Sequence, residues 1–181
     1  MVWAVLNQAQ GLALKELIEG QKSDRIVAVV GGAILDDSLR RALELRLRQD
    51  EDMNEKLFRP NGPLGNLQPK IDLAYQLYMF EKPLRNTLYG LAEIRNLFAH
   101  QLNMHFSSPS KKMKDAIAKL KLHEGITHYP SIVAGVGNTN YPIEDMPQTR
   151  DLFFVNLKLS LTMLMADAGK HKLWSNNPNE F

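Results

Sequence analysis

Three residues in the stretch EIRNLFAH, 93–100, could do chemistry together: Arg95, Asn96 and His100. A neutral imidazole, with an ordinary pKa of ~6.5, can take a proton from a ribose 2′-hydroxyl or return one to a leaving oxygen. A guanidinium can grip a phosphate with two parallel hydrogen bonds and stabilise charge that develops on it. Asn96 would orient the imidazole or donate to the phosphate. The trio therefore suits metal-independent cleavage of RNA, whose 2′-hydroxyl is a built-in nucleophile. The same residues also admit a purely structural role. A partly buried arginine normally has a carboxylate partner, because an unpaired buried charge is very costly. Asp72, Asp36 or Asp37 could supply that carboxylate. His100 would then sit at the edge of the core and Asn96 on a helix surface.

The element that must position the trio is a helix expected over KPLRNTLYGLAEIRNLFAHQLN, 82–103. With successive residues ~100° apart, Leu84, Leu88, Leu91, Phe98 and Leu102 form one apolar stripe, with Arg95 almost at its centre. Asn96 and His100 are four apart and share a neighbouring face, with Glu93 on the same side as His100.

The rest of the chain reads as nearly all helix. A first helix is expected over 7–19, stopping at Gly20, and Ser23 can cap a long second one over 24–48. Its Gly31-Gly32 pair costs about 1 kcal/mol per glycine relative to alanine, which points to close approach of another helix. A short helix over 51–58 leads into the turn-rich RPNGPLGN, followed by a helix over 66–79 with Pro69 in its first turn. A basic amphipathic helix is expected over 108–125 and a largely apolar one over 148–169. Residues 126–147, rich in proline and glycine, read as a long irregular loop, and 170–181 as a frayed tail.

A longer pattern surrounds the trio. NGPLGNLQPKIDLAYQLYMF, 61–80, followed by LAEIRNLFAH, 91–100, resembles the mannitol operon repressor family, and VVGGAILDDSLRRAL, 29–43, fits that family's long helix. The residues carrying the likeness are Gly62, Pro63, Leu64, Gly65, Lys70, Asp72, Tyr75, Arg95 and His100, within a resemblance that spans roughly 24–106. The arginine–histidine spacing is also similar to the signature of the HEPN superfamily, in which two helical protomers pair so that both motifs line one cleft, often making a metal-independent ribonuclease. The resemblance implies an all-α bundle, a homodimer, and a transcriptional co-regulator acting through a protein partner. The HEPN likeness implies the alternative, a ribonuclease with Arg95, Asn96 and His100 as its catalytic residues. No cofactor is implied by either.

Composition bounds these readings. The chain has 181 residues, 44% hydrophobic and 23% charged, with a net charge of +2. That length suits one helical domain of six or seven helices over 1–181. The near-balanced charge implies no strong pull towards nucleic acid, and no helix-turn-helix with a basic recognition helix is evident, so direct DNA reading is not expected. The absence of cysteine excludes disulfides and thiolate chemistry. Five histidines with no i, i+4 pair make no zinc motif. The longest apolar run, 26–35, is about half of what spanning a bilayer needs, and the first residues lack a secretory pattern. The expectation is a cytoplasmic protein without membrane contact. Lys111, Lys112 and Lys114 on the basic helix could meet phosphates, although an ordinary solvated face, with Met113, Ile117 and Leu120 turned inward, accounts for them as well.

Overall fold

The computed structural model describes residues 8–19, 23–125 and 149–175. The expected loop over 126–147 and the last residues of the expected tail, 176–181, lie outside them. The fold is all-α: the described residues form seven α-helices and one 3-10 turn, with no strand. The helices are α1 (Gln8–Glu19), α2 (Asp24–Glu44), α3 (Glu51–Phe58), α4 (Leu67–Gln76), α5 (Lys82–His100), α6 (Lys111–Ile117) and α7 (Thr149–Ser175).

Local chemistry sets most boundaries. The Ser23 hydroxyl accepts from the Ile26 amide to start α2, and the Asp50 carboxylate accepts from Met53 to start α3. The Gly-Pro-Leu-Gly turn closes on α3. The Leu64 amide donates to the Leu57 carbonyl at 2.9 Å, and a side chain at Gly62 or Gly65 would run into backbone carbonyls of 56–60. Crowding demands these two glycines. At the far end of α5, Arg25 donates to the carbonyls of Phe98, Gln101 (2.5 Å) and Leu102 (2.8 Å), satisfying acceptors that the helix leaves open.

The core joins α2, α5 and α7. Leu35, Leu39 and Leu43 meet Leu84, Leu88, Leu91, Ile94 and Phe98, and α7 adds Phe153, Leu157 and Leu161, all sealed from solvent. Phe98, Phe106 and Phe153 run through it with ring centroids 4.9 and 5.4 Å apart. The glycine pair on α2 divides its work. A Cβ at Gly31 would lie 2.9 Å from Leu157 on α7, and one at Gly32 would collide with the Cβ and Cγ of Arg95 on α5. Both neighbouring helices can thus approach α2 closely.

Several boundaries differ from expectation, two of them at tertiary contacts. Helix α2 ends at Glu44, not at 48, where Arg46 turns back to form an ion pair with Asp167 of α7 at 2.6 Å. The basic helix over 108–125 breaks into α6 and a 3-10 turn, Leu122–Gly125. In the break, the Lys119 carbonyl accepts from buried Thr87, and the Leu122 amide donates to buried Asn156 at 3.0 Å. Partners on other helices replace helical hydrogen bonds there. Helix α7 continues to Ser175, so the first residues of the expected tail are helical.

Candidate functional site

Helix α5 carries the motif at its C-terminal end, and the first correction falls on Arg95. It is exposed and not at the centre of a buried stripe. Leu84, Leu88, Leu91 and Phe98 are buried as expected, but Leu102 lies past the last residue of α5 and is 88% exposed. The stripe therefore ends one turn early. With no side chain at Gly32, the aliphatic stem of Arg95 crosses α2 and carries its charged head out to water.

None of the expected carboxylates serves Arg95. Asp36 holds Lys70 at 2.6 Å, Asp37 holds Arg41 at 3.0 Å, and Asp72 accepts from the Tyr89 hydroxyl. Arg95 instead donates to Asn96 Oδ1 at 2.9 Å and has no carboxylate partner among the described residues. His100 is exposed at the last position of α5.

Two clefts flank this end of α5. The first, of about 490 Å³, lies between α5 and α6 and is bordered by Glu93, Asn96, His100, Lys112, Asp115 and Lys119. The two helices that wall this cleft approach each other closely at Gly90, where a Cβ would lie only 2.7 Å from the Ala116 carbonyl. Glu93 neutralises Lys119 at 2.5 Å across it. The second, of about 640 Å³, lies between α2, α5 and the start of α4. Arg95, Asn96, Asp36, Arg40 and Lys70 give it polar walls, and Phe58, Pro60 and Leu67 give it apolar ones. Asn96 borders both clefts, whereas Arg95 borders only the second and His100 only the first.

The remaining sequence-derived residues divide between scaffold and surface. Lys70 is 3% exposed, so its charge is committed to Asp36. Tyr75 packs on Phe80 and lies under the Arg85 guanidinium, 4.4 Å from the ring centre. The Asp72 hydrogen bond, reinforced by partial burial and the carboxylate's charge, raises the pKa of Tyr89 above the ordinary phenol value. Lys112 shares the cleft of His100, while Lys111 and Lys114 are exposed without bordering it. Sequence reasoning missed Arg40 and the Asp36–Lys70 pair as walls of the Arg95 cleft. The signal was the Gly31-Gly32 pair, which marks where α5 can lie against α2.

No group of three or more histidines or carboxylates that could hold a metal ion occurs among the described residues, and none of their helices is long and apolar enough to cross a membrane. Comparison with protein-family models, with curated proteins and with solved structures found no match.

Proposed function

We propose that the chain is a helical co-regulator of the mannitol operon repressor type, cytoplasmic and dimeric, that acts by binding another protein. The observation that carries this reading is the separation of Arg95 and His100 into different clefts, with only Asn96 bordering both. Catalysis on one phosphodiester needs its proton-transfer group and its charge clamp within hydrogen-bonding reach of the same phosphate. A single chain arranged in this way offers a recognition surface instead. The resemblance over 24–106 supplies the regulatory context, and the lack of a basic reading helix favours a protein partner over an operator.

The test is recovery of tagged chain from its own cells after nuclease treatment. One protein should copurify in stoichiometric amount, and purified chain alone should not shift operator DNA. Recovery of the chain with no other protein would reject the reading.

A second reading has one observation in its favour. His100 is exposed and borders a cleft with Asn96 and Lys112, a set that could hold and deprotonate an RNA ribose. In that HEPN-type ribonuclease, His100 is the general acid or base, and a second copy of the chain brings its arginine across the dimer cleft.

A further inference from the structure

The cleft between α2, α5 and the start of α4 has one charge that nothing in it answers among the described residues. Three cations and two carboxylates border it: Arg40, Lys70 and Arg95 against Asp36 and Asp37. Lys70 is paired with Asp36 at 2.6 Å, Arg40 with Glu44 at 2.8 Å, and Asp37 with Arg41 at 3.0 Å. Only Arg95 is left, with a neutral amide as its hydrogen-bond partner.

The position of that guanidinium is built into the fold. A side chain at Gly32 would displace the Arg95 stem, and Asn96 Oδ1 accepts from one of its terminal nitrogens, so the head is steered while its other donors stay available. The cavity, about 640 Å³, falls within the range of ligand pockets, roughly 300–1,000 Å³. Its apolar walls, including Phe58, Pro60 and Leu67, suit the flanks of a peptide.

We propose that this cleft receives a single carboxylate side chain from a protein partner, with Arg95 forming the ion pair and Asn96 positioning it. This rests on the protein-partner reading above and names the chemistry of the partner. The charge balance selects the ligand. One uncompensated cation matches one carboxylate, whereas the continuous charge of a polynucleotide would find no further unpaired cation in the cleft, its other charges being paired already. A planar carboxylate also matches the fork of the guanidinium.

The experiment is selection of random heptapeptides displayed on phage against the full chain and against Arg95→Gln. Melting curves first establish that the variant folds, as expected for a change at an exposed position. The parent should enrich peptides with an aspartate or glutamate at one position, and Arg95→Gln should lose that preference. A synthetic copy of the selected peptide should bind at least about tenfold more tightly than its analogue with the amide in place of the acid. Arg95→Lys should restore part of the affinity, and inorganic phosphate in excess should not displace the peptide.

Enrichment without an acidic position, or the same acidic preference in Arg95→Gln, would overturn the assignment of this cleft while leaving the protein-partner reading in place. Displacement by phosphate would overturn the choice of carboxylate. Failure of both proteins to enrich any peptide would remove support from the cleft and the partner reading together.

Discussion

Replacing Gly32 by alanine tests how α2 and α5 hold the motif. In an open helix position, this change stabilises by about 1 kcal/mol, because alanine loses less backbone entropy. At Gly32, however, the added Cβ would lie 2.8 Å from the Arg95 Cβ and closer still to its Cγ. Ordinary carbon contacts need about 3.5–4.0 Å. Rotating Arg95 moves the Cγ but cannot move the Cβ, so the two helices must separate by something under an ångström at their closest point. Overpacking of this kind costs about 1–3 kcal/mol. Subtracting the helical gain leaves a net loss of roughly 1 kcal/mol, or about 2–4 °C in melting temperature for a domain of this size. Gly11 is the control, since a Cβ there meets nothing within 4 Å. Thermal unfolding followed by circular dichroism should show Gly11→Ala at or above the parent and Gly32→Ala below it. In an Arg95→Ala background, where the Cγ is gone, Gly32→Ala should cost less. A Gly32→Ala protein that melts at or above the parent would refute the packing argument.

Further predictions concern caps, charges and pH. Tyr78, just past the Leu77 cap of α4, has φ 55°, the left-handed position that follows a helix C-terminus, and is 92% exposed. Tyr78→Gly should therefore stabilise the chain by about 1 kcal/mol in denaturant titrations, and a loss would show that the ring makes a contact worth more than the backbone strain. Lys70→Met should be near neutral, while Asp36→Ala, which strands a buried ammonium, should cost about 2–3 kcal/mol, discounted from a fully buried pair because Asp36 is 36% exposed. Equal effects would contradict the assigned burial. Tyr89 has a folded pKa raised above its unfolded value, so its contribution is complete below pH ~10 and is lost as pH rises through that value towards the folded one. The parent should lose stability in alkali more steeply than Tyr89→Phe, and parallel curves would remove the Asp72 hydrogen bond from the account.

Legibility in the sequence followed the range of the forces. The span of α3 was readable to the residue, as was the start of α2 at Ser23, because the signals that set them lie close along the chain; the Asp50 cap of α3 was not read. The apolar stripe of α5 was readable as far as Phe98. What failed depended on distant partners. The end of α2 is set by Asp167, more than a hundred residues away, and the break after α6 by Thr87 and Asn156. Arg95 is the instructive case. A helical wheel orders residues around α5 alone, and on it Arg95 belonged to the core. The opposing glycine on α2 reversed that, letting the stem pack while the charge reached solvent. The divergence of Arg95 and His100 into two clefts was invisible for the same reason, since the clefts are made by α2, α4 and α6.

The central claim is that Arg95 and His100 do not act together as catalysts. The most direct measurement is cleavage of RNA by purified chain in excess chelator, beside Arg95→Ala and His100→Ala variants shown to be folded and in the parent's oligomeric state. A recognition protein should leave the RNA intact in all three samples. Cleavage by the parent that both substitutions abolish would contradict the account and establish a metal-independent ribonuclease.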